Sequence, residues 1–232
     1  MSKTALIVGT GSGISASFAR RLSREGYKLA LTARNTDKLS ELASETGATT
    51  LSCDATKMDE VAAVFTELDR SFGNLDVVLY NPSQRVPGTI VDLPPADVAQ
   101  AINISAFGGF LVAQEAAKRM IKQGNGNILF TGASASVKGY ARSTAFAMGK
   151  FALRGLAQSL ARELAPQNIH VSHFVIDGGV RNPQKGRQES ADDPVDKYLD
   201  PDAIAETYLS VVNQPRSAWT WEVELRPWVE NF

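Results

Sequence analysis

The sequence predicts a single-domain α/β fold, a doubly wound parallel sheet with helices on both faces. Short apolar or β-branched runs alternate strictly with longer segments whose apolar residues recur three and four positions apart. The runs Ala5–Val8 and Val77–Leu79 are continuously apolar, as expected for parallel strands buried on both sides. The length of 232 residues suits one such core, and no linker divides the chain, so we expect residues 1–232 to form one domain.

The individual elements follow from this alternation. The predicted strands are Thr4–Val8, Lys28–Thr32, Thr49–Cys53, Leu75–Tyr80, Asn127–Thr131, His170–Ile176 and Trp219–Leu225. The predicted helices, each with one apolar face, are Ile14–Glu25, Asp37–Thr46, Met58–Phe72, Pro95–Ile121, Ser143–Leu164 and Pro201–Val212. The segment Arg181–Asp200 is polar and poor in apolar residues, which predicts a flexible loop after the sixth strand.

Composition narrows the range of functions. The 24 Lys and Arg residues nearly balance the 25 Asp and Glu residues, and no long run of one sign occurs, which argues against nucleic acid or a membrane surface as a partner. Cys53 is the only cysteine, and the two histidines, His170 and His173, are too few to suggest a metal site. No cleavage pattern follows the N-terminal segment, and no apolar run approaches membrane-spanning length, so we expect a cytoplasmic protein.

A glycine cluster follows the first predicted strand. The residues Gly9-Thr10-Gly11-Ser12-Gly13-Ile14-Ser15 lead from that strand directly into a helix. Backbone N–H groups at a helix start bind pyrophosphate, and glycine lets the backbone turn tightly and approach the ligand. A tight turn without a ligand is the alternative, but the position after the first strand of an alternating chain favours dinucleotide binding.

Further motifs point to a known family. Leu79-Tyr80-Asn81-Pro82-Ser83 follows the fourth strand, Asn103 lies within the long fourth helix, and Lys150 lies in the next helix. Together with the glycine loop, these segments resemble the short-chain dehydrogenase/reductase family over nearly the whole chain. The resemblance implies a Rossmann-type dinucleotide-binding domain, a small-molecule substrate under the 181–200 loop, and homodimers or homotetramers built on the long helices Pro95–Ile121 and Ser143–Leu164.

The resemblance also implies the cofactor site. Arg34 and Asn35 follow the second strand, where an acidic residue would favour NAD; an arginine there suits the 2′-phosphate of NADP(H), with NAD(H) as the alternative. Ser15 replaces the last glycine of the family motif, and Pro82 and Ser83 replace Ala-Gly. The residues expected at the cofactor are Gly9, Gly11, Ser12, Gly13, Ile14, Arg34, Asn35, Asp54, Ala55, Asn81, Pro82, Ser83, Lys150, Gly178 and Val180.

The catalytic positions of the family are only half retained. The resemblance maps the family lysine onto Lys150 and the family asparagine onto Asn103, but it puts Phe146 at the position of the proton-transferring tyrosine and Ala133 at that of the serine. A phenyl ring has no proton to transfer, and acid–base assistance typically contributes about a hundred- to ten-thousand-fold. Ser134 and Tyr140 are candidate substitutes; a serine bonded to its own backbone and an aromatic wall residue are the competing interpretations.

Three hypotheses follow. The first is an NADP(H)-dependent oxidoreductase with an atypical site, acting on a small carbonyl, imine or enone that takes its proton from water, Tyr140 or Ser134. The second is a relative without catalysis that binds NADP(H) as a sensor, scaffold or partner subunit. The third is elimination or isomerisation with Lys150 as the base. Oxidation of the cofactor would support the first hypothesis, and cofactor binding without turnover the second. Turnover without a redox change would support the third.

Overall fold

The computed structural model describes residues 2–231 and contains the predicted seven-stranded parallel sheet. The strands are β1 (Thr4–Val8), β2 (Lys28–Ala33), β3 (Thr49–Ser52), β4 (Val77–Tyr80), β5 (Gly126–Thr131), β6 (Ile169–Ile176) and β7 (Glu222–Leu225). Their order in the sheet is β3-β2-β1-β4-β5-β6-β7, and every neighbouring pair is parallel. The order reverses between β1 and β4, which opens a crevice at the carboxyl ends of these two strands. The predicted fold class is confirmed.

The helices lie on both faces of the sheet. They are α1 (Ile14–Arg24), α2 (Ser40–Thr46), α3 (Met58–Ser71), α4 (Pro95–Ile102), α5 (Gly108–Gln123), α6 (Thr144–Leu164) and α7 (Pro201–Val212). A single 3₁₀ turn, Asp37–Leu39, precedes α2. The predicted helix Pro95–Ile121 is interrupted by the π-helical segment Asn103–Phe107, which joins α4 to α5. A π-helical turn takes up an extra residue, so it changes which side chains face inward.

Two apolar layers hold the helices to the sheet. On one face, α3, α5 and α6 contribute side chains such as Phe65, Val112 and Leu153. On the other face, α1 and α7 pack Phe18 against Tyr208, whose ring centroids are 5.5 Å apart. Because β1 and β4 lie in the middle of the sheet and are covered from both sides, their continuously apolar runs are buried throughout, as the sequence predicts.

The joined helix Pro95–Gln123 corrects one expectation. By length and composition alone it is long and apolar enough to cross a membrane, although no apolar run was expected to approach that length. Its inner face packs into the core through Leu111 and Val112, and the core helix of a soluble protein passes the same test, so the observation is weak evidence for a membrane span.

Candidate functional site

The glycine loop is closed by contacts that only small residues permit. Gly9 has a φ of +76°, and a Cβ atom there would lie 2.6 Å from Cγ of Pro82. Ser15 is buried; its hydroxyl donates to the carbonyl oxygen of Gly9 at 3.3 Å and accepts from Nδ2 of Asn81 at 2.8 Å. The serine that replaces the last motif glycine therefore bonds the loop to the end of β4.

The loop opens onto a cleft of about 680 Å³ at the carboxyl ends of the strands. This volume is typical of a site for a cofactor or small ligand. A Cβ atom on Gly11 would meet nothing within 4 Å, and one on Gly13 would meet only the Asn182 amide at 3.4 Å, so the backbone of the loop faces open space. The exposed backbone at the start of α1 fits the pyrophosphate of a dinucleotide.

Most residues expected at the cofactor line this cleft. They are Gly9, Gly11, Ser12, Gly13, Ile14, Arg34, Asp54, Ala55, Asn81, Pro82, Ser83, Lys150, Gly178 and Val180. Asn35 is not among the lining residues; it is exposed, and its Oδ1 accepts from the backbone N–H of Asp37 at 2.8 Å, which fixes the turn before α2. Lys38, which the sequence analysis did not single out, lines the cleft in its place.

The end of the cleft next to β2 and β3 has one carboxylate. Asp54 accepts hydrogen bonds from the backbone N–H and the hydroxyl of Thr56, at 3.0 and 2.8 Å. Burial acts to raise the pKa of Asp54, but these hydrogen bonds, with help from the charge of Arg34, lower it overall. Asp54 is therefore an anionic acceptor at neutral pH, and Arg34 is a cation on the same wall.

Lys150 forms the other end of the cleft. It is buried, and its Nζ donates a hydrogen bond of 2.6 Å to the carbonyl oxygen of Thr131 at the end of β5. Burial, together with the positive charge of Arg85, lowers the pKa of Lys150 to about 7. A lysine in this state exchanges a proton near neutral pH and is held in place by an acceptor that never titrates.

Phe146 and Ala133 complete this end. Both line the cleft and are buried, at 7% and 8% exposed. Lys150 Nζ lies 5.9 Å from the centroid of the Phe146 ring, and the Arg85 guanidinium lies 4.3 Å from it. Arg85, a second cation, therefore covers the Phe146 ring next to Lys150. It comes from the segment after β4, and the sequence did not predict its position.

Three expected catalytic residues do not reach the cleft. Asn103 is exposed, whereas Ile104 lines the cleft and Ser105 is buried against Gly149 of α6, because the π-helical turn changes the inward-facing positions. Ser134 begins a 3₁₀ turn, and its carbonyl accepts from the backbone N–H groups of two later residues. Tyr140 is 43% exposed and lies beside the Lys138 ammonium, outside the cleft.

The segment after β6 is fixed by long-range contacts. Asp177 is buried and pairs with Arg226 at 3.0 Å and with Lys138 at 3.8 Å. Asn182 bonds the Ser12 hydroxyl of the glycine loop at 3.0 Å. These contacts hold the start of the predicted loop over the cleft.

The 181–200 loop itself has internal structure. Arg181 pairs with Glu189 at 2.6 Å and with Asp200 at 3.6 Å, and a one-turn 3₁₀ helix occupies Pro183–Lys185. Lys185 and Arg187 line the cleft, which the sequence analysis did not predict. The flexibility expected for this segment stays a prediction.

His173 has a structural environment. It is fully buried in β6, and its Nδ1 lies 3.0 Å from Glu222, which also pairs with Arg154 at 2.6 Å. Burial lowers the pKa of His173 to about 4, so the ring is neutral near pH 7. Within residues 2–231, no group of three or more His, Cys, Asp or Glu side chains is placed to hold a metal ion.

Comparison with solved structures gives close matches over the whole chain. A short-chain dehydrogenase from Rhodopseudomonas palustris is 35% identical with a TM-score of 0.83, covering 97% of this chain and 99% of that one. An alcohol dehydrogenase from Thermococcus sibiricus, solved with 5-hydroxy-NADP, is 26% identical with a TM-score of 0.87, covering 99% and 98%. A metagenomic short-chain oxidoreductase in complex with NADP is 26% identical with a TM-score of 0.85, covering 98% of each chain.

Comparison of sequences agrees with the structural matches. An uncharacterized oxidoreductase of Staphylococcus aureus is 28% identical over 97% of each chain, and carbonyl reductase family member 4 of Xenopus laevis is 27% identical over 93% of each. The family model described as short chain dehydrogenase matches residues 3–191. With its parallel sheet, glycine loop and cleft, the chain belongs to the short-chain dehydrogenase family and is an oxidoreductase of that type.

Proposed function

We propose that this protein is an NADP(H)-dependent reductase of small molecules with a carbonyl, imine or enone group. The observation that carries the proposal is that one cleft contains the glycine loop, the cation Arg34 and the buried Lys150. An arginine after β2 suits a 2′-phosphate better than two ribose hydroxyls. Lys38 adds a second positive charge on the same wall. The NADP complexes of two similar proteins support the same preference.

The described residues fit a nicotinamide dinucleotide from end to end. Asp54 and Arg34 would hold the adenosine half, the N–H groups at the start of α1 would hold the pyrophosphate, and Gly178 and Val180 would border the nicotinamide half. When bound, the cofactor supplies a hydride. The protein has to orient the substrate, exclude water and deliver a proton.

Lys150 is the proton donor that we propose for this site. Phe146 has no titratable group, and Ser134 and Tyr140 lie outside the cleft, whereas Lys150 Nζ is buried in its wall. With its pKa lowered to about 7, the lysine carries a proton in a large fraction of molecules at neutral pH and releases it readily. Imines and activated double bonds, which need less help at oxygen than simple ketones, are the preferred substrates.

A titration with NADPH and with NADH tests the proposal first. Nicotinamide fluorescence and the rise in melting temperature report binding, and a ligand at 100 times its Kd stabilises the native state by about 2.7 kcal/mol. We expect tighter binding of NADPH, followed by NADPH oxidation with a cyclic imine or an enone. Binding of neither cofactor would refute the proposal.

Two other outcomes of this test identify the competing functions. Tight NADPH binding without oxidation across carbonyl, imine and enone substrates would indicate a sensor or partner subunit. Turnover of a substrate with no change in absorbance at the NADPH band would indicate elimination or isomerisation with Lys150 as base.

We also propose that the chain forms a homodimer or homotetramer through the outer faces of α5 and α6. Phe107 and Phe110 stack with ring centroids 6.1 Å apart, and both are more than two-fifths exposed. Phe151 of α6 is 44% exposed. Large apolar side chains exposed on paired helices are typical of subunit interfaces. Light scattering of the wild type and of a Phe110→Glu variant tests this assembly.

A further inference from the structure

The walls of the cleft carry more positive charge than negative charge. Six cationic side chains line it, against one carboxylate, that of Asp54. The cations are Arg34, Lys38, Arg85, Lys150, Lys185 and Arg187. The phosphates of the proposed cofactor account for part of this excess, at the end that holds Arg34 and Lys38. Of the remaining cations, Arg85 and Lys150 lie beside the Phe146 ring, at the end where reduction would occur.

Arg85 lies at that end. Its guanidinium covers the Phe146 ring at 4.3 Å from the centroid, and Lys150 Nζ lies 5.9 Å from the same centroid. Phe146 is one helical turn before Lys150 on α6, so a single aromatic ring supports both cations. An arginine stacked on a ring keeps the edge of its guanidinium, with its N–H groups, available to a ligand.

Arg85 shares the cleft lining with a second arginine, Arg187. Burial, together with the positive charge of Arg187, lowers the pKa of the Arg85 guanidinium. Neither arginine takes part in an ion pair with a carboxylate in the part of the chain that the structure describes, residues 2–231. Two cations that line one cleft repel each other, and a bound oxyanion offsets this repulsion.

The backbone keeps Arg187 in this position. Its N–H and carbonyl pair with the carbonyl and N–H of Asn182 in an antiparallel bridge, at 3.0 and 2.7 Å. Asn182 in turn bonds Ser12 of the glycine loop. The two arginines, Arg85 and Arg187, are called the clamp. One comes from the segment after β4 and the other from the loop after β6.

We propose that Arg85 and Arg187 bind an oxyanion of the substrate, a carboxylate or a phosphate, and so hold the reducible group over Phe146 beside Lys150. This inference rests on the proposed function and names its substrate class: small oxo or imino acids, or their phosphorylated counterparts. Guanidinium groups recognise both oxyanions through paired N–H donors.

A binding experiment tests the clamp without turnover. Oxalate and inorganic phosphate are titrated calorimetrically into protein saturated with NADPH, and also into the free protein. We expect one of them to bind, and Arg85→Gln to weaken its affinity by about tenfold or more, the loss typical of a charged hydrogen bond. Arg85→Lys retains part of the affinity. Arg162→Gln, which removes an exposed charge on the distant part of α6, leaves it unchanged.

The outcomes separate the sources of the anion and the competing role of Arg85. Binding of oxalate alone assigns a carboxylate, and binding of phosphate alone assigns a phosphate. If Arg85→Gln weakens NADPH by the same factor as the anion, Arg85 serves the cofactor pyrophosphate and the inference is overturned. Binding of neither anion, or equal binding to the wild type and Arg85→Gln, overturns it as well.

A matched pair of substrates separates this inference from the proposed function. Pyruvate and methyl pyruvate differ in one negative charge, and we expect kcat/KM to favour the acid in the wild type and much less in Arg85→Gln. NADPH oxidation with the ester and no preference for the acid would refute the clamp and leave the reductase standing. Oxalate binding through Arg85 without any NADPH oxidation would refute the reductase and leave the clamp standing.

Discussion

Lys150 Nζ is held by the carbonyl oxygen of Thr131 at 2.6 Å. The neutral amine and the ammonium ion can both donate this hydrogen bond, so the side chain stays anchored when it gains or loses a proton. Burial and the charge of Arg85 disfavour the ammonium ion and lower the pKa of Lys150 to about 7. The site thus combines a fixed donor position with a proton that leaves near neutral pH.

The pH dependence of reduction follows from this pKa. If Lys150 delivers the proton, the active form is the ammonium ion, which is lost as the pH rises through about 7. We expect kcat/KM for NADPH oxidation to fall about tenfold per pH unit above that value. Initial rates between pH 5.5 and 9.5 measure it. Arg85 stays charged over this range, and His173, with a pKa of about 4, stays neutral.

The variant Lys150→Met is the control for the pH profile of kcat/KM. Protein stability gives a second measurement of the Lys150 pKa that needs no enzyme activity. A lysine whose pKa is lower in the folded state binds more protons when unfolded, so it makes stability rise with pH between about 7 and 10.4, by up to about 1.4 kcal/mol per unit. Lys150→Met should lose this rise in urea unfolding. A break in kcat/KM that persists in the variant would assign the proton to another group.

Gly11 gives a prediction that separates folding from cofactor binding. A Cβ atom at this position meets no atom within 4 Å, so we expect Gly11→Ala to fold normally and to gain up to about 1 kcal/mol from the restricted unfolded chain. The same methyl group projects where the pyrophosphate has to approach the backbone, and we expect NADPH affinity to fall at least about tenfold. Urea unfolding and fluorescence titration measure the two effects.

Gly139→Ala is the matched control for Gly11→Ala. A Cβ at Gly139 also meets nothing within 4 Å, but the residue is absent from the cleft lining. This variant should bind NADPH as the wild type does. Unchanged NADPH affinity in Gly11→Ala would mean that the cofactor phosphates do not approach this loop.

Local patterns in the sequence were enough to predict the fold and a glycine loop at the start of the first helix, which lines the cleft. Parallel strands buried on both faces leave continuous apolar runs, and the glycine loop needs small residues at fixed places after β1. Gly9 illustrates this, because its φ of +76° and its contact with Pro82 both exclude a side chain. Such requirements act within a few residues and can be read from spacing.

The catalytic half depends on features that spacing does not encode. The resemblance put Asn103 at the catalytic asparagine, but the π-helical turn Asn103–Phe107 breaks the 3.6-residue period, and Ile104 lines the cleft while Ser105 is buried. Arg85 lies in an extended segment with no periodicity. Its approach to Phe146 joins residues more than 60 positions apart, which no local pattern predicts.

Arg34 should determine the choice between the two nicotinamide cofactors. Its side chain lines the cleft after β2, where the extra phosphate of NADPH would lie. We expect Arg34→Ala to weaken NADPH by about tenfold or more and to leave NADH unchanged, because only NADPH loses a charged hydrogen bond. Fluorescence titrations with both cofactors measure this. The control Arg24→Ala, at the exposed end of α1, should change neither affinity. An equal loss of affinity for both cofactors in Arg34→Ala would mean that Arg34 contacts a part that NADPH and NADH share.

Phe146 and Ala133 provide a gain-of-function test of the site. Both side chains are buried in the cleft wall, and Lys150 Nζ lies 5.9 Å from the Phe146 ring centroid. A tyrosine hydroxyl added there would have Lys150 and Arg85 as neighbours, two cations that lower the pKa of a phenol. We expect Phe146→Tyr with Ala133→Ser to raise kcat for simple activated ketones at least tenfold, toward the roughly hundred- to ten-thousand-fold range of acid–base assistance. Phe72→Tyr, a change of the same kind at a half-buried position after α3 and outside the cleft lining, should have no effect. A double variant that folds and binds NADPH but gains no ketone reduction would show that the substrate carbonyl does not lie over Phe146.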